Sequence, residues 1–294
     1  MYNKRQQLVL LNVLSMSYTD QVNYLRLVKN LDLEEEISWS DLWRLIHRIS
    51  SHNYAISYKD RAIFDHYLTH LNENYFMIGD SIYPKLWLEI EQPPLLIYFQ
   101  GHLEVLTRPC ISIIGTRRMT DYGRYITEEI VKACTRQNWV CVSGLAKGVD
   151  TCVHQNSITS GSATTIAILP NGLNHYYPRE NTSLQQKLAQ NQLVLSEYPM
   201  DQGVRKHQFI LRNRLVAGLS PVTILIESAK RSGSLITANY ALQFNREVRV
   251  VPGRMTDPYS SGCNDLIEAG AQIISSIPSL IKDIQELFHL QKYG

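Results

Sequence analysis

Two hydrophobic rhythms divide this chain, and they change over near residue 110. Before about Leu71, apolar residues recur at three- and four-residue spacing (Leu8, Leu11 and Leu14; Leu42, Leu45, Ile46 and Ile49) with little glycine between them, which is the period of an amphipathic helix. The pattern predicts a small all-α bundle over residues 1–74, with Ser40 as an N-cap. Residues 75–109 carry Pro84, Pro93, Pro94 and short apolar runs (YFMI, LLIYF), and read as an irregular lead-in with strand pieces that packs on the next domain. From Cys110 onward, six apolar runs (CISIIG, WVCVSG, TTIAIL, LVLSEY, VTILIES and VRVVPG) alternate with helical segments, expected from about Thr120, near Lys147 and near Leu235. Buried strands joined through helices predict an α/β, doubly wound parallel sheet over residues 110–294. A last helix is expected over Leu280 to Leu290.

Composition removes several classes. No run approaches the roughly 20 apolar residues of a membrane helix, and the N-terminus turns polar before a small-residue cleavage site could follow, so neither a membrane nor secretion is expected. Five cysteines (Cys110, Cys134, Cys141, Cys152 and Cys263) are odd in number and lack CxxC spacing; they read as buried thiols of a cytoplasmic protein, with no structural zinc and no disulfide scaffold. With 29 Lys+Arg against 27 Asp+Glu, the net charge decides nothing, and a nucleic-acid partner would need locally concentrated cations. The first 74 residues nearly cancel, eight Lys/Arg against nine Asp/Glu. Their acidic run, Glu34 to Glu36, reads as a solvated charge face. Tyr24, Trp39, Trp43 and Tyr54 are either that module's core or a contact surface.

In doubly wound folds, ligands bind beyond the carboxyl ends of the strands. The residues there are Gly115-Thr116-Arg117-Arg118, Ser143 to Gly148, Asn171 to Asn174, Ser228 to Ser234, and Gly253-Arg254. Glycines allow close backbone approach, serines cap helices, and helix N-termini offer free N–H groups, which together make anion sites. A dinucleotide fingerprint is missing, because GTRRMTDYG has its second glycine eight residues after the first, and no GxxxxGK[ST] loop is present. Eleven Lys/Arg (117, 118, 147, 179, 205, 206, 212, 214, 230, 231 and 254) fall in or beside these segments instead. Such a row suits a phosphate backbone better than a single nucleotide.

The segments ISIIGTRRMTDYG (Ile111 to Gly123), SGLAKGVDTCVH (Ser143 to His154), LPNGLNHYYPREN (Leu169 to Asn181), SEYP (Ser196 to Pro199), FILRNRLVAGLS (Phe209 to Ser220), SAKRSGSLITA (Ser228 to Ala238) and VPG followed by GCNDLIEAGA (Gly262 to Ala271) resemble, in that order, the DprA or Smf family of DNA-processing proteins. IYPKLWLEIEQPPLLIYFQG (Ile82 to Gly101) is similar to the family's lead-in. The resemblance implies a SAM-like helical domain, then an extended Rossmann-like domain that binds single-stranded DNA, forms a homodimer and helps load RecA recombinase during natural transformation. It implies no catalysis and no cofactor. Three positions depart from the family's pattern: Ile210 where proline is usual, Lys147 for arginine, and Asn245 for glycine. The winged helix that some members carry at the C-terminus is expected to be absent.

Arg117 leads the candidates for a phosphate contact, since a guanidinium can grip two oxygens at once. Arg118, Gly144, Lys147, Lys206, Arg212, Arg214, Ser232, Gly233 and Ser234 complete the expected DNA-binding set. A cation at a helix start, as at Lys147, opposes the helix dipole and calls for an anion nearby. Arg212 and Arg214 lie two apart on a helical segment, so at most one faces DNA. Asp150 and His154 lack a third partner at metal-ligand spacing, and the histidine is expected to be satisfied by the carboxylate. Tyr176 and Tyr177 could stack on bases or pack under their loop. Leu266 and Ile273, in the apolar stretch LIEAGAQIISSI, are expected at the dimer interface; the alternative is that the terminal helix covers this stretch. A rival of another class is a nucleoside-monophosphate phosphoribohydrolase of the lysine-decarboxylase-like group. Its PGGxGTxxE stretch is lacking, with Glu227 the one carboxylate placed to serve.

Overall fold

The computed structural model describes residues 1–30, 36–50, 58–72, 74–158 and 164–293. The first part comprises β1 (Tyr2–Asn3), α1 (Lys4–Val13), α2 (Tyr18–Asn30), β2 (Glu36–Ile37), α3 (Trp39–Ile49) and α4 (Arg61–Leu71). A capping box opens α1, where Asn3 and Gln6 each accept the other's backbone N–H at 3.0 Å. Ser38 caps α3, accepting the Asp41 N–H at 3.1 Å, so Ser40 lies within the first turn and does not cap it. Tyr24, Trp39 and Trp43 are buried as core, Trp39 stacking on Phe64 with ring centres 5.8 Å apart. Tyr54, Glu34 and Glu35 lie outside the described residues.

The lead-in is more regular than its prolines imply. It supplies β3 (Tyr75–Met77) and β4 (Leu96–Gly101), joined between them by a short 3-10 turn that buries Trp87. The α/β part continues as β5 (Cys110–Ile114), α5 (Asp121–Arg136), β6 (Val140–Ser143), α6 (Val149–Ile158), β7 (Thr165–Leu169), α7 (Thr182–Asn191), β8 (Leu193–Ser196), α8 (Lys206–Gly218), β9 (Val222–Leu225), α9 (Gly233–Gln243), β10 (Glu247–Val250), α10 (Ser261–Glu268), β11 (Gln272–Ile273) and α11 (Ile277–Tyr293).

One nine-stranded sheet runs β11-β10-β9-β5-β6-β7-β8-β4-β3. All pairs from β11 to β8 are parallel, while β4 pairs antiparallel with β8 and β3 with β4. Neighbouring residues of a strand serve opposite faces: Ile113 packs with α5 and α11 through Ile130 and Ile284, and Ile114 packs with α8 and α9 through Leu215 and Ala238. Residues covered on both faces must be apolar throughout, which is why these strands read as unbroken runs. The N-terminal helices lie against the β4, β7 and β8 region, sharing one core with Leu96, Tyr98, Leu169 and Val194. Tyr98 donates to Asn12 at 3.0 Å, and Asn12 donates to the Glu197 carbonyl at 3.1 Å.

The sheet's two edges differ. Along β3, Arg5 donates to the Tyr75 carbonyl at 3.3 Å and ion-pairs with Asp80 at 2.6 Å, while Asp80 accepts the Met77 N–H at 2.9 Å. Both residues of β11 are exposed, and no further strand pairs with it among the described residues. All five cysteines are buried and free.

Candidate nucleic-acid interface

The chain builds outward from β5 to β8 and then returns to lay β9 on the other side of β5. Loops leaving β5 and β9 therefore part in opposite directions, opening a crevice at this switch point. It has a volume of about 520 Å³ and is lined by Gly115 to Arg118, Gly144, Asp150, the middle of α8 from Phe209 to Val216 and the start of α9. Backbone bonds fix the loops to one another. Thr116 donates to the Glu227 carbonyl at 2.8 Å, and Val149 donates to that of Thr116 at 3.2 Å. Gly148 has φ of +81°, and a Cβ there would lie 2.3 Å from the Thr116 oxygen, so the close approach requires glycine.

Arg117 and Arg118 stand exposed at the mouth. The Arg117 guanidinium lies over the Phe209 ring at 5.4 Å, and Tyr177 meets the same ring edge-on at 5.5 Å. Opposite them, Ser232 caps α9 by accepting the Ser234 N–H at 3.2 Å, and Gly233 has open space where a side chain would be. The helix N-terminus thus presents hydroxyls and amides to the crevice.

The floor is a buried charge arrangement. Arg212 donates to the Ile168 carbonyl, and its guanidinium and the Asp150 carboxylate both pack on Gly144, where an added Cβ would lie 2.4 Å from either. Burial depresses the Arg212 pKa and raises that of Asp150; each opposes the other's shift as countercharge. His154 is satisfied, though not by Asp150: Nε2–H donates to the Gly144 carbonyl at 2.6 Å and Nδ1 meets the Thr165 hydroxyl at 2.8 Å. Burial holds this imidazole neutral, with its pKa lowered to about 4.

Of the residues expected from sequence, Arg117, Arg118, Gly144, Arg212, Ser232, Gly233 and Ser234 line the crevice together. Lys147, Lys206 and Arg214 do not. Lys147 is paired with Glu180, so the anion near its helix start is the chain's own carboxylate. Arg214 is buried, its Nη2 donating to both Glu197 oxygens at 2.6 Å, and is the structural member of its pair. Lys206 is exposed at the start of α8, outside the lining. Sequence reasoning missed Phe209 and Asn213, which line the crevice, and passed over Asp150 when it treated Glu227 as the only carboxylate in reach. The signal was an aromatic residue three before Arg212 on the same helix. Glu227 is 2% exposed and is taken up by the Thr120 N–H (2.9 Å) and hydroxyl at the start of α5. No cluster of potential metal ligands occurs among the described residues.

The dimer candidates separate. Ile273 is 51% exposed on β11, whereas Leu266 packs partly into the core beneath α10. Ile274 packs in one cluster with Ile277, Leu280 and Ile284 of α11, and Ile273 stays outside it.

The model of the DNA recombination-mediator protein A family matches residues 74–285. The chain belongs to that family. DprA of Bacillus subtilis (strain 168) is 39% identical over 215 residues, 72% of either chain. Among solved structures, DprA of Streptococcus pneumoniae superposes with a TM-score of 0.81 at 31% identity, covering 96% of this chain and 98% of that one. DprA of Helicobacter pylori, described for its single-stranded DNA binding mode, gives 0.65 at 33% identity, covering 74% and 98%.

Within the family, this member's unusual residues have local explanations. Asn245 comes after α9 with φ of +56°, the left-handed position that ends helices and that asparagine tolerates better than other side-chain-bearing residues. Ile210 lies inside α8, 46% exposed, and lines the crevice. Lys147 makes a single point contact to Glu180, for which an arginine fork is not needed.

Proposed function

We propose that the crevice grips the backbone of single-stranded DNA without regard to sequence, and that the protein acts as a non-enzymatic mediator. One observation carries this reading: Arg117 and Arg118, unpaired among the described residues, the free end of α9 and the Phe209–Tyr177 aromatic bank meet in one open crevice. Guanidinium and amide donors suit phosphates, and aromatic faces suit bases of any kind. The likeness to the Helicobacter pylori protein supports it. The hydrolase alternative depended on Glu227, whose two oxygens are occupied by Thr120. We extend the proposal to a two-fold homodimer using Ile273 and the edge of β11, with Leu266 beneath it, and to delivery of the bound strand to a RecA recombinase in transformation.

Salt titrations with matched single-stranded and blunt duplex oligonucleotides test the core of this. The expected result is preference for the single strand, with affinity falling steeply as salt rises. Equal affinity for the duplex at the same salt defeats it. Adding RecA at sub-saturating levels tests the extension, which predicts faster filament formation on pre-bound strands.

A further inference from the structure

Next to the crevice, two tyrosines and a methionine stand out from the surface. Met255 is 95% exposed. It sits in a turn that is braced: Asp257 donates to the Arg254 carbonyl at 3.1 Å and accepts from the Tyr259 N–H (2.9 Å) and the Ser260 hydroxyl (3.2 Å). The Asn264 side chain bonds Gly253 in both directions, at 3.2 and 3.3 Å. A large apolar side chain is thus held out in water on a braced turn. Beside this turn, Tyr122 and Tyr125 are 49% and 62% exposed, three residues apart on α5 and hence on one face. The Tyr122 hydroxyl reaches the Pro252 carbonyl at 3.5 Å, which puts its ring against the turn.

Charge and continuity identify the occupant. Arg254 precedes Met255 in the turn, Arg118 stands at the crevice mouth shortly before α5, and neither forms an ion pair among the described residues. Asp121 is the exposed carboxylate on the first turn of α5, while Asp257 is consumed by the bracing. Arg118 and Tyr259 both belong to the crevice lining, so the two surfaces meet without a break. Aromatic faces interleaved with cations form the pattern that holds single strands.

We propose that this surface is a second stacking platform, over which the strand leaves the crevice, with bases on Tyr122 and Tyr125, Met255 closing the end, and phosphates beside Arg118 and Arg254. The inference rests on the reading of the crevice as a single-strand site. It makes affinity depend on strand length: a short oligonucleotide fills the crevice alone, and a longer one also reaches the platform.

The test compares oligothymidylates of about 5 and about 15 nucleotides on the intact protein and on Y122A/Y125A and Y122F/Y125F variants. The alanine pair is expected to weaken the longer strand about tenfold, within the range for losing one stacked base, and to leave the shorter unchanged. The phenylalanine pair keeps both rings and should bind like the parent, which also controls for folding. Equal loss on both lengths, loss in the phenylalanine pair, or unchanged binding of the longer strand by the alanine pair overturns the platform. If the parent binds neither strand, the crevice reading itself fails, and the platform goes with it.

Discussion

Helix α8 sends two arginines, two residues apart, into two different regions, and their fates differ. Arg214 enters the seam between the N-terminal helices and the sheet, where Glu197 takes it with both oxygens. Arg212 enters the crevice floor, where it bonds a carbonyl and faces Asp150 across Gly144 without reaching ion-pair distance. The seam closes its charge account within the chain. The crevice keeps Arg212 as a buried positive support under Arg117 and Arg118, which have no carboxylate partner among the described residues. A cation's neighbours, more than its place in the sequence, decide whether it holds the fold or waits for an anion.

The largest effect should come from breaking the seam. Replacing Arg214 by methionine leaves Glu197 without its partner and should cost about 3 kcal/mol or more of stability, read by urea unfolding. Adding Glu197→Gln should recover much of that, and single-strand affinity of the folded protein should hold throughout. A folded R214M variant that loses DNA binding would erase the contrast between the regions.

Next in size is a pH effect beneath the crevice. An unfolded chain protonates His154 below its ordinary value of 6.5, but the folded one resists until about 4. The unfolded state therefore binds more protons in this window, and stability should fall by about 3 kcal/mol as pH drops through it. His154→Asn cannot titrate and should lack that part of the slope; an unchanged slope would place the loss elsewhere. Arg117→Ala sharpens the comparison from the open side. It should lose under about 1 kcal/mol of stability, from the contact with Phe209, yet weaken all single-stranded sequences about tenfold and reduce the salt dependence by about one ion. Smallest is Lys147→Ala. Its partner Glu180 is solvent-exposed, so unfolding should be unaffected and DNA affinity should stay within about twofold; a loss as large as that of Arg117→Ala would restore Lys147 to the binding set.

The sheet was legible because strands buried on both faces leave unbroken apolar runs, and all six from CISIIG to VRVVPG became parallel strands. Arg117 was legible for a related reason, since the residues after the first strand of a doubly wound fold have only the crevice to enter. Partners distant in sequence were not legible. Nothing local shows that Glu180 would meet Lys147, or that Glu197 would meet Arg214, 17 positions on. Phe209 escaped notice because an aromatic residue on a helix ordinarily means core, and only the position of Arg117 above it shows otherwise. The apolar runs YFMI and LLIYF, read as strand pieces, became β3 and β4 on either side of the lead-in's prolines; that they extend the main sheet antiparallel at its edge was not legible, because β8, the partner of β4, lies about 100 residues on.

The unequal edges of the sheet set a limit on how copies of this chain can associate. Arg5 takes the Tyr75 carbonyl and Asp80 the Met77 N–H on the outer side of β3, while no further strand pairs with β11 among the described residues. In the homodimer proposed above, two copies joined through β11 would cap each other, and no third could add by the same bonds. Exposed edges ordinarily carry the hazard of endless strand addition. Here an arginine of α1 and an aspartate just after β3 guard one of the two edges, so a protein proposed to serve filaments need not become one.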